Sequence, residues 1–128
     1  MDDPLVHSMG LTVSREDTDE LGHVNNAVYL MWVDECCRAH VERLGMPLKS
    51  MMSFGVLPVV RRHVATYRSS AVPGDRVVVS TRVVRARGAL ATRHNEVRRD
   101  DDELLVEVDT IGCGWTPGPA GPERRPPR

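Results

Sequence analysis

The sequence predicts a layered α+β domain in which one long helix packs on an antiparallel sheet of about five strands. Three observations carry that expectation. One stretch, Asn26 to Leu44, has apolar residues at helical spacing; four later stretches read as strands, of which Arg76 to Arg85 alternates cleanly; and the links between those strands are short, turn-rich segments. The whole chain has 128 residues, the size of a single domain.

The helix rests on Tyr29, Val33, Cys36/Cys37, His40/Val41 and Leu44, which recur every three to four residues. Asn25 or Asn26 suits its start, because an Asn side chain accepts a bond from an otherwise orphan N–H. Gly45 followed by Met46-Pro47 ends it. The first two turns, Ala27 to Val33, are apolar on every side, so this half is expected to be enclosed by other structure.

After a Met-rich connection (Met46, Met51, Met52) the pattern changes to strands. Val59 to Arg68 leads to a Pro73-Gly74-Asp75 turn. Arg76 to Arg85 then alternates, with Val77, Val79, Thr81 and Val83 on one face and Arg76, Ser80 and Arg82 on the other. Gly88 breaks this run before a third strand, Ala89 to Arg98. The turn Asp100-Asp101-Asp102 precedes a fourth, Leu104 to Trp115, and Leu11 to Arg15 offers a fifth ahead of the helix. Short turns between successive strands favour a meander. A single open sheet has two exposed edges, and pairing an edge across a two-fold axis removes one, so a homodimer is the expected unit. From Pro117 onward the chain reads PGPAGPERRPPR. Proline fixes φ and lacks an N–H, so residues 117–128 are expected to be a disordered tail on a domain spanning 1–116.

Composition excludes several classes. The formal charge is -1 and the pI about 6.5, so no bulk positive field exists to hold nucleic acid. No stretch approaches the roughly 20 apolar residues that span a bilayer. The opening Met1-Asp2-Asp3-Pro4 lacks the basic start of a secretory signal, and three cysteines, two adjacent, do not make a disulfide framework. A reduced, cytoplasmic protein is the expectation. Aromatics are few (Tyr29, Trp32, Phe54, Tyr67 and Trp115), which leaves the core to Val, Leu, Ala and Met.

The run Asp17-Thr18-Asp19-Glu20-Leu21-Gly22-His23-Val24-Asn25-Asn26 carries the most chemistry. It suits a polar loop with turn and cap residues. Its placement before an apolar helix allows more. A helix start offers free N–H groups and partial positive charge that polarise a carbonyl, and a carboxylate beside that carbonyl can attack it or activate water. Elsewhere, Cys36, Cys37 and His40 lie one turn apart but lack a fourth ligand cluster, so small buried residues fit better than zinc. Arg61-Arg62-His63 is a local basic cluster on a strand, either a solvated face or a phosphate contact. There is no GxSxG, no phosphate loop and no GxGxxG opening a helix.

The run DTDELGHVNNAVYLMW, with the strand pattern Val72-Pro73-Gly74-Asp75-Arg76-Val77-Val78-Val79, resembles the hotdog-fold acyl thioesterases, especially the hydroxybenzoyl-CoA thioesterase-like family. The resemblance covers most of residues 10–116. It implies a sheet wrapped around one central helix, paired as a homodimer or a tetramer, and hydrolysis of an acyl-CoA or acyl-carrier-protein thioester. It also implies roles: Asp19 as catalytic carboxylate and the Asn26 N–H as the group polarising the thioester carbonyl. Plant acyl-carrier-protein thioesterases share the HVNN run, where His23 matches a catalytic histidine; Leu21 stands where those enzymes carry Asn. Asn25, Tyr29, Arg61 and Arg62 are the expected substrate contacts. A thioester is already activated, so no cofactor or metal is called for. Two other activities fit the same fold. A dehydratase or hydratase would draw its acid from the helix, at Asp34 or Glu35; a non-catalytic module would only bind the acyl thioester.

Overall fold

The computed structural model describes residues 3–45, 57–87 and 90–115; the Met-rich connection, the Gly88 break and the segment 117–128 lie outside the described residues. Strand β1 (Val6–Thr12) and one turn of 3-10 helix (Arg15–Asp17) lead into helix α1 (Asn26–Arg43), followed by β2 (Leu57–Tyr67), β3 (Arg76–Arg87), β4 (Leu90–Arg99) and β5 (Leu104–Trp115). The five strands form one antiparallel sheet in the order β1-β3-β4-β5-β2, as the α+β reading predicts.

Three details depart from the sequence expectations. The N-terminal strand runs over Val6–Thr12 instead of Leu11 to Arg15: its ladder with β3 reaches back to Val6, and the Ser14 N–H donates to Asp17 Oδ2 at 2.9 Å and curls Arg15 into a turn. Only β3, β4 and β5 form a meander. Strand β2 crosses to the far edge and pairs with β5, while β1 takes the place beside β3. The front half of α1 is not enclosed: Tyr29, Trp32 and Val33 are buried but Ala27 and Met31 are exposed, because one sheet covers one side of a helix.

Alternation decides which residues meet α1. Val77, Val79 and Thr81 of β3, Val97 and Asn95 of β4, and Val106, Val108 and Thr110 of β5 are all buried. Tyr29, Trp32, Val33 and Cys36 complete the core from the helix. Each fully buried valine contributes about 1.5–3 kcal/mol by leaving water. The buried Asn95 amide is paired: Nδ2 donates to the Val108 carbonyl and to Thr110 Oγ1, both at 2.9 Å. Helix α1 ends at Arg43, and Gly45 takes the left-handed φ of +87° that its lack of a Cβ allows.

Candidate active site

The loop ahead of α1 is a closed structure. An antiparallel bridge pairs Thr18 with Val24, and within it the Asp19 N–H donates to the His23 carbonyl at 2.9 Å. The reversal needs Gly22, at φ +75°, where a Cβ would be strained. The Asp19 carboxylate folds back so that Oδ1 accepts the Leu21 N–H at 2.8 Å, an Asx turn. Its other oxygen makes no hydrogen bond among the described residues.

Two ties anchor this loop to the domain. The Val24 N–H donates to the Ala71 carbonyl at 3.0 Å, and the Ala71 N–H donates to Tyr29 Oη at 2.9 Å. Tyr29 is buried, with Trp32 edge-on at 5.3 Å, so it braces the helix start from inside the core. The expectation of Tyr29 as a substrate contact meets a buried ring whose hydroxyl accepts the Ala71 N–H. The exposed aromatic at this end is Tyr67 of β2, whose hydroxyl donates to the Asn26 carbonyl at 3.3 Å.

Asn25 is the cap residue, its side-chain oxygen accepting the Ala27 N–H at 2.9 Å. That bond and the loop's own bonds leave the Asn26 N–H, first in the helix, without an acceptor among the described residues. The positive end of the helix dipole is concentrated there. Asp19, His23, Asn25 and Asn26 are all on the exposed surface of the single chain. The loop thus holds a solvated carboxylate ahead of a free helical N–H, the two elements that acyl transfer requires.

The thioesterase superfamily profile matches residues 21–106, two thirds of the chain. This chain belongs to the thioesterase superfamily. Thioester hydrolysis is the activity that goes with this membership, and the match spans His23, Asn25 and Asn26 while beginning two residues after Asp19. No curated protein matches the sequence. Among solved structures, this thioesterase is similar to a 1,4-dihydroxy-2-naphthoyl-CoA thioesterase from Synechocystis, with 19% identity, TM-score 0.83, and 95% of this chain and 88% of that chain covered. A probable thioesterase from Bartonella henselae gives 21% identity, TM-score 0.83, and coverage of 96% and 98%. A hypothetical protein from Thermus thermophilus gives 26% identity, TM-score 0.79, and coverage of 85% and 82%. The shared architecture is the hotdog fold.

The remaining candidates in this thioesterase lie away from the loop. Arg61 and Arg62 are exposed on β2, where the pairing with β5 shifts register between Val60 and Arg62. They are five or six residues before Tyr67, about 16–20 Å along the strand. Cys36, Cys37 and His40 do not converge as metal ligands. Cys36 Sγ faces the Val79 carbonyl at 3.5 Å, Cys37 Sγ lies 3.6 Å from both Thr81 Oγ1 and Asn95 Oδ1, and His40 Nε2 meets the Pro4 carbonyl at 2.7 Å. Of the two helix acids, Glu35 is exposed, while Asp34 Oδ1 is 3.5 Å from His63 Nε2. Asp34 is eight residues beyond Asn26, about 12 Å along the helix. Sequence reasoning missed Tyr67 as a neighbour of the helix start. Its signal was an aromatic at the end of a strand, but only the crossing of β2 to the sheet edge brings it to Asn26.

Proposed function

We propose that this thioesterase hydrolyses an acyl-CoA or acyl-carrier-protein thioester, with Asp19 as the catalytic carboxylate and the Asn26 N–H as the group that polarises the substrate carbonyl. The observation that carries this reading is that one short loop and the helix start it leads into offer both an unshared Asp19 oxygen and an unclaimed N–H at the first position of α1. In the hydrolytic step Asp19 takes a proton from water as the water oxygen bonds to the carbonyl carbon, or bonds to that carbon itself and is released by water afterwards. The carbonyl π electrons move to oxygen, facing the Asn26 N–H and the helix dipole. When the C–S bond breaks, the thiolate leaves and takes up a proton, so the products are one acid and one thiol. His23 and Asn25 border the reacting centre as orienting groups, and Arg61 and Arg62 serve as phosphate contacts for the carrier arm.

The same reading includes a cytoplasmic homodimer, with pairing of dimers into a tetramer as a further assembly. Leu21 is 79% exposed, Met31 56% and Tyr67 40%, and all three belong to the loop, the front of α1 or the adjoining edge strand. A second copy seated there would bury these apolar groups and exclude water from the reacting centre. No helix among the described residues is long and apolar enough to cross a membrane.

Replacing Asp19 by Asn keeps an oxygen for the Leu21 N–H but removes the basic one. Thiol release from short, long and aryl acyl-CoAs by Asp19→Asn is expected to fall about 10²–10⁴-fold, with an unchanged unfolding midpoint. Near-normal turnover of several acyl-CoAs by the folded variant would refute the assignment.

A further inference from the structure

The sheet face turned away from α1 carries a cluster that the hydrolytic reading leaves unused. His94 and Glu96 are two residues apart on β4, and Asp109 and Glu107 lie directly opposite them on β5. Period-two alternation puts all four on one face. His94 Nε2 is 3.1 Å from Glu96 Oε2 and 3.8 Å from Glu107 Oε1. The three ligand atoms of His94, Glu96 and Glu107 all lie within 4.8 Å of one another.

The partners of these groups give the arrangement its direction. His94 Nδ1 is bonded to Asp109 Oδ1 at 2.8 Å, and Nε2, the inward atom, is hydrogen-bonded to Glu96 Oε2 at 3.1 Å, where a metal ion would take the place of the shared proton. Glu96 gives Oε1 to Arg98 Nε at 3.0 Å and turns Oε2 inward. Glu107 gives Oε2 to Arg68 Nε at 2.6 Å and turns Oε1 inward. Each ligand is thus oriented through its far atom by a second group, the pattern that supports metal-bound His and carboxylate residues. Tetrahedral coordination at about 2.0–2.1 Å sets donor atoms about 3.3 Å apart, a separation that the 3.1 and 3.8 Å distances bracket. One imidazole with two carboxylates is a donor set for Zn2+ and its divalent neighbours, and suits Mg2+ or Ca2+ less well.

We propose that His94, Glu96 and Glu107 bind a divalent transition-metal ion of the Zn2+ class on the outer face of the sheet, with water completing the shell, as a tie between β4 and β5. Asp109 acts as the positioning residue that holds the His94 ring. The site is on the opposite sheet face from α1, so the inference stands apart from the hydrolytic assignment.

The test titrates the metal-free full chain with Zn2+ by calorimetry and with Co2+ by visible absorption. One equivalent of Zn2+ and the intense d–d bands of tetrahedral Co2+ are expected. His94→Gln and Glu107→Gln should each abolish both signals, while Asp109→Asn should weaken affinity about 10–100-fold. His63→Gln, at the other His–carboxylate contact, should leave the titration unchanged. Circular dichroism establishes that each variant is folded, and Glu107→Gln leaves the ring in place should His94→Gln not fold. Absence of a one-to-one uptake, or uptake that survives both folded His94→Gln and Glu107→Gln, would overturn the site.

Discussion

At the scale of single residues, the buried ionisable groups of α1 make this fold sensitive at both ends of the pH range. Burial pushes the Cys36 thiol up to about 12, and the adjacent Cys37 adds to the shift. The folded state therefore keeps the thiol neutral, and its contribution is full below the unfolded value of 9.0 and lost as pH climbs toward 12. Stability of the wild-type chain should fall above pH 9 more steeply than that of Cys36→Ala, as read from urea midpoints. His40 behaves in the opposite sense. Burial holds its imidazole below the ordinary 6.5, the Arg93 and Arg43 cations add to the lowering, and only the bond to Pro4 opposes it. Its contribution is present above pH 6.5 and is lost as acid protonates the unfolded chain first. Replacement by Gln should flatten the decline in urea midpoint between about pH 7 and 5; equal slopes in the two proteins would contradict this account.

At the scale of elements, the loop and the helix cap act together. Asn25 satisfies the Ala27 N–H, while Gly22 permits the reversal that returns the chain to α1. Asn25→Ala should cost about 1 kcal/mol of stability by leaving a helix-start donor without its side-chain partner, measurable as a shift in chemical unfolding. Gly22→Ala forces a Cβ into φ +75°, so a loss of about 1 kcal/mol is expected there also. If the loop positions Asp19 for hydrolysis, both variants should lower kcat more than their stability loss accounts for at assay temperature. Unchanged kcat in Gly22→Ala would separate the loop from the chemistry.

At the scale of the whole molecule, the open side of α1 sets the expectation of assembly. A helix with Met31 and Ala27 in water beside an edge strand bearing the exposed Tyr67 has apolar surface left over. Light scattering on the eluting protein should give twice the chain mass or a higher multiple. Met31→Glu, which introduces charge on that face, should weaken the assembly at least about tenfold and lower thiol release in parallel. A wild-type chain that elutes as a monomer while fully active would exclude the shared-site reading.

Much of this was legible in the amino-acid order, because it depends on neighbours along the chain. Helical spacing, the Asn25 cap and the Gly45 stop set α1 to within a residue, and alternation from Arg76 onward set which valines face inward. The loop sequence, by its resemblance to known thioesterases, indicated the activity. What lies outside the reach of local pattern is which strands become neighbours. Strand β2 pairs with β5 by crossing the whole sheet, and that choice alone brings Tyr67 to Asn26 and puts Asp34 against His63. Likewise, helical spacing puts Tyr29 on the apolar stripe, but its hydroxyl finds a partner only when Ala71 arrives from a distant turn. Chain order governs dihedral preference and face, which are short-range energies; partners distant in sequence are selected by the burial that only the complete packing provides.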